Sequence, residues 1–184
     1  MKKIMFNDKF LLTQAVLNGT KTMTRRLLKE GTPLGNWEET AKCLPYKVGD
    51  IVAIAQPYKD IIECMAEYSD IIINVDGSIN REYKAGWTNK MFVKANLMPH
   101  HINITDVRIE RLQDITEEDC LKEGVWQFYD DKNLFYVSKN IGYAPDVAFL
   151  SAREAFWYLI DSISGKGTLE RNPWVGVYTF EKVD

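Results

Sequence analysis

The sequence predicts an α+β fold, a small mixed β-barrel flanked by helices and carrying insertions. Two observations lead to this prediction. Short, apolar, β-prone segments outnumber amphipathic helical segments along the 184 residues. The helical segments also fall between strands without the regular βαβ alternation of a doubly wound parallel sheet. No repeat of 20–50 residues and no low-complexity tract appears, so the pattern indicates one domain over residues 1–184.

Composition and charge limit the possible functions. A chain with 46% hydrophobic and 27% charged residues is typical of a globular protein. A net charge of −3 argues against a protein that coats long duplex nucleic acid through bulk charge. It leaves room for a local basic pocket that takes one nucleotide or a short single strand. No apolar run reaches the length of a membrane span, and we expect neither a membrane partner nor a signal peptide.

The cysteines and histidines do not form a metal-ligand pattern. Cys43, Cys64 and Cys120 are odd in number and widely spaced, and they lie far from His100 and His101 in the sequence. This spacing favours neither a zinc site nor a disulfide framework. We therefore expect no metal, no cofactor and a reducing, cytoplasmic location.

The first elements of the chain are a strand and a helix. A short strand is expected at 3–6, and a helix at 10–18 is expected to end at Gly19, a typical C′ residue. The segment 20–28 continues with the β-branched composition of a strand. Residues 30–46 contain Gly, Pro and Asn with little periodicity, so we predict a loop that forms a first insertion.

A second strand and a second insertion follow. Residues 47–50 have the composition of a tight turn that leads into a short, apolar, buried strand at 51–55. The pattern is weaker over 60–90. There, the apolar run 71–75 followed by Asp76-Gly77 predicts a hairpin with a primed turn.

The second half of the chain is predicted to contain a long strand and two helices. The strand spans 100–112, with a bulge where the alternation slips between Ile104 and Val107. Thr116 caps a short helix that ends at Gly124. The remaining segments are an aromatic, turn-containing stretch at 126–137, an amphipathic helix at 151–163 and a terminal strand at 174–182.

The stretch Gly19-Thr20-Lys21-Thr22-Met23-Thr24-Arg25-Arg26 is the main candidate for function. Its basic side chains make poor core material, because Lys and Arg are rarely buried without partners. Placed just after a helix end, it can hold an anion or a polar base. The alternative is a solvated edge strand whose charges protect it from aggregation, and the residues alone favour that alternative.

The same stretch resembles the Gly-x-Lys-x-x-x-x-Arg signature of the ASCH family, a branch of the PUA-like β-barrels. The resemblance covers most of the chain outside the insertions near 30–46 and 60–90. Three further segments support it: 48–52 resembles the family's Gly-Asp turn into a barrel strand, 105–124 its second block, and 172–175 the end of phage-type members. The resemblance implies a PUA-like fold and a phage or prophage type.

It also implies a cleft that accepts RNA or a nucleobase, with Thr22, Arg25 and Arg26 as ligand-binding residues. Some small ASCH proteins are amidohydrolases that remove an acetyl group from the exocyclic amine of cytidine. They use a Lys, a Thr three residues later and a distant Glu. Lys21, Thr24 and Glu123 fall on those positions, so they are the candidate catalytic residues.

The chemistry of that set is coherent but its geometry is demanding. A Thr hydroxyl becomes a nucleophile when a neighbour takes its proton, and a Lys with a lowered pKa can do so. Glu123 would then pass a proton to the leaving amine. On a regular strand, however, Lys21 and Thr24 point to opposite faces, whereas Thr22, Thr24 and Arg26 share one face.

Three hypotheses therefore stand. The leading one is a module that binds RNA or a modified nucleobase, in which Lys21, Arg25 and Arg26 contact phosphate and Trp87 or Trp126 stacks on a base. The second is an amidohydrolase acting on acetylated cytidine. The third is a phage-derived interaction module with an unspecified protein partner.

Overall fold

The structure, a computed structural model, describes residues 1–62, 72–138 and 147–183. The strands of these residues are β1 (Lys2–Ile4), β2 (Met23–Leu27), β3 (Ile51–Ile54), β4 (His101–Arg111), β5 (Val125–Gln127), β6 (Phe135–Val137) and β7 (Trp174–Lys182). The α-helices are α1 (Leu12–Leu17), α2 (Trp37–Cys43), α3 (Tyr58–Ile61), α4 (Glu117–Lys122), α5 (Ala152–Ser164) and α6 (Thr168–Arg171).

Five of the strands form one mixed sheet in the order β1-β3-β4-β7-β2, while β5 and β6 pair in a separate hairpin. β1 runs parallel to β3, whereas β3–β4 and β2–β7 are antiparallel pairs. The mixed α+β class is therefore confirmed. Among the described residues β1 and β2 lie at the two edges of the sheet, and the closed barrel stays a prediction.

β4 contains the bulge that the sequence predicts. The backbone N–H of Val183 donates to the carbonyl of His101, and that of Leu112 donates to the carbonyl of Pro173. Between these bonds β4 advances eleven residues, from 101 to 112, whereas the partner strand retreats ten, from 183 to 173. One residue of β4 is therefore unpaired, as in a β-bulge.

The chain divides into two compact units that interleave in sequence. The first comprises Met1–Phe6, Ile51–Asn103 and Lys182–Asp184. Its apolar core is built from Ala53, Ala55, Tyr58, Ile61, Ile72, Tyr83, Val93 and Met98. Lys3 anchors β1 in this unit, because its ammonium donates to the carbonyls of Lys90, Met91 and Val93.

The second unit comprises Asn7–Asp50 and Ile104–Glu181. Its buried apolar side chains come mainly from α1, α4, α5 and β7: Leu12, Ala15, Val16, Cys120, Ala155, Phe156, Leu159, Val175 and Val177. The amphipathic helix predicted at 151–163 is α5, with Ser151 accepting a hydrogen bond from the backbone of Glu154 at its start. The prediction of a single domain over 1–184 is not decided by this division.

Two predicted elements differ from the structure. The predicted loop 30–46 contains α2, whose N-cap Asn36 accepts a hydrogen bond from the backbone of Glu38. Periodicity missed this helix because Thr40 is its one buried residue. The predicted helix at 10–18 is interrupted at Leu11, whose φ of 53° lies in the left-handed region, so α1 begins only at Leu12.

The predicted hairpin at 71–75 lies partly outside the described residues. In the described part, a single antiparallel bridge joins Ile73 and Ile79 across a turn at Asp76-Gly77. Gly77 has a φ of 81° and Asp76 does not have a positive φ, so the turn is not of type I′.

Candidate functional site

The basic stretch begins with a turn and becomes a strand only at Met23. Gly19 has a φ of 75°, which suits the C′ position of α1, and its N–H bonds the carbonyl of Val16. The N–H groups of Thr20 and Lys21 both bond the carbonyl of Ala15, which folds the chain back against the helix. Lys21 therefore precedes β2.

The pairing of β2 with β7 separates its side chains onto two faces. Met23 and Arg25 pair with Thr179 and Val177, whereas Thr24 and Arg26 pair with Tyr178 and Gly176. Side chains alternate along a strand, and paired residues of antiparallel strands share a face. Arg25 and Thr24 consequently lie on opposite faces of the sheet.

One face of the sheet carries the ion-pair cluster, which we define as Lys21, Arg25, Arg108, Glu110, Asp119 and Glu123. Lys21 Nζ lies 2.7 Å from each of three acceptors, the carbonyls of Met23 and Glu123 and the Glu123 Oε2 atom. The side chains of Lys21 and Glu123 are only 2% and 5% exposed. Burial lowers the pKa of the Lys21 amine, and the charge of Glu123 opposes this effect.

Arg25 occupies the centre of the ion-pair cluster, with a side chain that is 1% exposed. Its guanidinium bonds Glu110 Oε1 at 2.6 Å, Asp119 Oδ2 at 2.8 Å and Glu123 Oε1 at 3.2 Å. Burial opposes its charge, but the carboxylates, led by Glu123, raise the pKa of Arg25 above its usual value. The guanidinium has no exposed surface for a phosphate.

Arg108 completes the ion-pair cluster from β4. Its Nη2 atom lies 2.6 Å from Asp119 Oδ2 and its Nε atom lies 3.1 Å from Glu110 Oε2. The cluster thus pairs three cationic side chains with three carboxylates and joins β2, β4, α4 and the Glu123 C-cap of α4. A buried set of this kind is costly to disrupt, because removing one member leaves another charge uncompensated.

The opposite face of the sheet, the pocket face, carries Thr24 and Arg26 of β2, Val107 and Ile109 of β4, and Trp174, Gly176 and Tyr178 of β7. The guanidinium of Arg111 lies 4.4 Å from the ring centre of Trp174, which places the 107-109-111 side of β4 on the face of Trp174. Arg108 and Glu110 point away from this face, and Glu110 accepts hydrogen bonds from both Arg25 and Arg108.

The segment that was predicted to be a loop covers the pocket face. α2 and the residues before it border an open cavity of about 380 Å³ against the strands. The cavity is lined by Leu34, Trp37, Thr40, Val107, Arg108, Ile109 and Trp174. Trp37 remains 52% exposed, whereas Thr40 is buried and its hydroxyl bonds the carbonyls of Pro33 and Asn36. These bonds connect α2 to the residues that immediately precede it.

Two tyrosines, Tyr46 and Tyr178, bring phenol groups to the pocket face. Tyr46 packs edge-on against Tyr178, with ring centres 5.5 Å apart. Burial raises the pKa of the Tyr178 phenol to about 12, Tyr46 adds to the increase, and the charge of Arg26 opposes it. Burial likewise raises the pKa of Tyr46, with the same opposing effect of Arg26. Both phenols are therefore protonated near neutral pH and can donate hydrogen bonds.

The structure thus divides the residues that the sequence singled out. Lys21 and Glu123 are in direct contact, and Arg25 joins them in the ion-pair cluster. Thr24 and Arg26 lie on the pocket face instead. The backbone of Thr22 bonds the carbonyl of Lys122 and accepts from Phe180. The proposed roles of these residues remain predictions.

The cavity is lined by Trp37 and Trp174, whereas the sequence analysis proposed Trp87 or Trp126 as the stacking residue. Trp126 stacks on Tyr136, with ring centres 6.4 Å apart, and Trp87 packs against the core of the first unit. The signals for Trp37 and Trp174 were present but weak. Trp37 follows a helix N-cap, and Trp174 alternates with Gly176 along a strand.

Over 1–62, 72–138 and 147–183, no group of three or more His, Cys, Asp or Glu side chains is arranged to hold a metal ion. In the same residues, no helix has the length and apolarity needed to cross a membrane.

The chain is similar, at low sequence identity, to two solved structures. No family model matches the chain, and no curated protein matches it significantly. An ASCH domain from Lactobacillus crispatus JV V101 is similar over 96% of this chain and 75% of its own, with 13% identity and a TM-score of 0.38. Protein EF3133 from Enterococcus faecalis V583 is similar over 94% and 67%, with 15% identity and a TM-score of 0.38. These values are too low to establish a common fold.

Proposed function

We propose that this chain is a binding module for a nucleobase or nucleoside, either free or exposed in single-stranded RNA, and that the ligand occupies the cavity on the pocket face. The observation that carries the proposal is the pair of tryptophans, Trp37 and Trp174, in the wall of a cavity of about 380 Å³. Flat aromatic walls are the usual partners of an unstacked base.

The size and lining of the cavity support this ligand class. Small-molecule pockets usually have volumes of about 300–1,000 Å³ and combine apolar walls with a few polar groups. Here Leu34, Val107 and Ile109 supply apolar surface beside the two indoles. Each indole carries one N–H donor and no acceptor, so the complementary ligand presents acceptor atoms, as base carbonyls and ring nitrogens do.

The exposure of Trp37 is a second argument. A large aromatic side chain that is 52% exposed on α2 leaves apolar surface in water. Stacking of a base on that ring would cover it. Trp174 differs, because one face of its ring already contacts the guanidinium of Arg111 at 4.4 Å. Trp37 is therefore the more informative residue to change.

The geometry gives less support to the amidohydrolase alternative. Lys21 Nζ already has three acceptors at 2.7 Å, and Thr24 pairs with Tyr178 on the other face of the sheet. A Lys21 amine that takes a proton from Thr24 would have to leave the ion-pair cluster. For a protein-interaction module, the described residues offer no feature that indicates a particular partner.

The test is a titration of the purified protein with adenosine, guanosine, cytidine, uridine and acetylated cytidine. Binding is measured by tryptophan fluorescence and by calorimetry. We expect at least one of these nucleosides to bind and Trp37→Ala to weaken that binding about tenfold or more, because stacking on an aromatic ring contributes about 1–3 kcal/mol per base. Since Trp37 is exposed, the variant should unfold at the same temperature as the wild type.

Tyr129→Ala is the matched control, because Tyr129 is an aromatic residue with 95% exposure that does not line the cavity. It should leave nucleoside binding unchanged. The proposal fails if no nucleoside binds at millimolar concentration. It also fails if Trp37→Ala and Tyr129→Ala bind the nucleoside as tightly as the wild type does.

A further inference from the structure

The second half of β4 has an open edge. β3 pairs with β4 only from His101 to Asn103, and the last backbone bonds on that side join Ile104 to the turn at 49–50. β4 continues beyond this point to Arg111. Its two neighbours in the sheet are β3 and β7, so among the described residues no strand pairs with the β3 side of β4 after Ile104. This side of the strand is therefore available to a ligand.

The bond to the β7 side shows which backbone groups point to the open edge. The N–H of Leu112 donates to the carbonyl of the residue just before β7. Along an antiparallel strand, the N–H and C=O groups of every second residue point to the same side. Arg108 and Glu110 therefore direct their backbone groups toward β7. Val107 and Ile109 direct theirs to the open edge.

This open edge forms part of the cavity wall. Val107, Arg108 and Ile109 all line the cavity. The guanidinium of Arg108 bonds Glu110 and Asp119 on the opposite face of the sheet, so the strand presents its backbone to the cavity at this position. No hydrogen bond joins the backbone N–H or C=O groups of Val107 and Ile109 to the part of the chain that the structure describes.

An open strand edge presents a fixed order of donors and acceptors. The carbonyl of Val107 and the N–H of Ile109 are a neighbouring acceptor and donor that point in the same direction. Their complement is a group that carries a donor beside an acceptor. The Watson–Crick edge of a nucleobase has this pattern, as in the N–H and carbonyl of uracil or the amine and ring nitrogen of cytosine.

We propose that the backbone of Val107 and Ile109 binds the Watson–Crick edge of the base in the cavity. This inference rests on the proposed function, since Trp37 and Trp174 supply the rings on which the base stacks. The carbonyl of Val107 accepts from the base, and the N–H of Ile109 donates to it. A base within a duplex already uses these groups for pairing, so the ligand is an unpaired base.

The shape of the site favours a base over an added peptide strand. A peptide that extends a sheet needs a continuous row of open backbone groups. Here the open edge is bordered by Leu34, Trp37 and Thr40, and the space beside it is about 380 Å³. A small planar group that both stacks and hydrogen-bonds suits a cavity of this size.

The first part of the experiment compares ligands by calorimetry. Each nucleoside is paired with a form whose Watson–Crick edge is altered without added charge: uridine with 3-methyluridine, guanosine with 1-methylguanosine, adenosine with 1-deazaadenosine and cytidine with 3-deazacytidine. For the nucleoside that binds the wild type, the altered form should bind about tenfold more weakly or worse, because a strand donor or acceptor loses its partner. The 2′-O-methyl form of the same nucleoside is the control and should keep its affinity.

The second part measures amide hydrogen exchange by nuclear magnetic resonance, with and without the same nucleoside. The N–H groups of Val107 and Ile109 should exchange rapidly in the free protein and about tenfold more slowly or less in the complex, because a bonded amide is protected. Arg108 and Glu110 are the matched controls on the same strand. Their N–H groups point to β7, so they should be protected in both states.

The results separate this inference from the proposed function. If a nucleoside binds but its altered form binds equally well, or if the 2′-O-methyl form loses as much affinity, the reading of the Watson–Crick edge is rejected and the base cavity stands. The same holds if Val107 and Ile109 are already protected in the free protein, since another part of the protein then covers the edge. If no nucleoside binds, the base cavity is rejected together with this inference.

Discussion

The two faces of the sheet in the second unit show opposite uses of charge. On the face of the ion-pair cluster, every guanidinium and ammonium is held by carboxylates, and Arg25 bonds three of them. On the pocket face, Arg26 lies among phenols, and a buried hydroxyl has no partner among the described residues. A saturated cluster stabilises a fold, whereas a buried hydroxyl without a partner, such as that of Tyr178, reduces stability.

The comparison also shows how one basic stretch can serve two purposes. Arg25 and Arg26 are adjacent in sequence, and the period of two along β2 directs them to opposite faces. Their environments therefore differ as much as those of distant residues. The doublet should be tested residue by residue, because Arg25→Gln and Arg26→Gln remove the same charge from different faces.

The largest expected effect is on stability and comes from Glu123→Gln. This variant leaves Lys21 and Arg25 buried with one carboxylate fewer, so the free energy of unfolding should fall by about 3–5 kcal/mol. Urea unfolding monitored by circular dichroism measures the change. If the two faces act separately, the folded variant should still bind the nucleoside identified for the wild type.

Glu118→Gln is the control for this variant. Glu118 lies on the same helix and forms an i,i+4 pair with Lys122, but its side chain is 78% exposed. Exposed pairs contribute about 0–1 kcal/mol, so this change should have little effect on unfolding. Equal effects of the two substitutions would show that the ion-pair cluster has no special role in stability.

The sequence predicted much of this arrangement, and the strand pattern was its most reliable part. The long strand with a slipped alternation is β4, and the C′ glycine is Gly19. These features depend on local sequence. They could be predicted because alternation and capping act over only a few residues.

The ion-pair cluster and the cavity could not be predicted in the same way. Glu110 and Asp119 join Arg25 from positions 85 and 94 residues away in sequence. Such contacts follow from strand order and from the placement of α4, neither of which has a local signal. The cavity depends on α2. The sequence shows no helical periodicity there, because Thr40 is the one buried residue of this helix.

A smaller effect is expected in alkaline solution, and it should have opposite signs on the two faces. The folded protein holds the Tyr178 phenol protonated up to a pKa of about 12, compared with a usual 10.0. Its contribution to stability is therefore present below about pH 10 and is lost as the pH rises toward 12. For Lys21 the pKa is lowered from 10.5, so its contribution instead rises as the pH approaches 10.5.

Urea unfolding at several values between about pH 8 and pH 11 separates these contributions. Relative to the wild type, Tyr178→Phe should lose less stability above pH 10. Lys21→Met should lack the stability that Lys21 gains at high pH, so its free energy of unfolding should decline more steeply with pH than that of the wild type. Parallel curves for the wild type and both variants would mean that neither group titrates differently in the folded and unfolded chains.

The smallest expected effect is hydrolysis of acetylated cytidine, for which we expect no turnover above the uncatalysed rate. The reaction by the Lys21, Thr24 and Glu123 set would require the Lys21 amine to be a base within reach of the Thr24 hydroxyl. In the structure that amine donates to three acceptors on one face, and Thr24 belongs to the other.

Turnover by the wild type that disappears in Lys21→Met and Thr24→Val would show that Lys21 and Thr24 come together on one face of the sheet during the reaction. It would then replace the binding proposal with the amidohydrolase. Turnover that disappears in Thr24→Val but persists in Lys21→Met would instead assign the chemistry to the pocket face, which Thr24 shares with Arg26 and Tyr178.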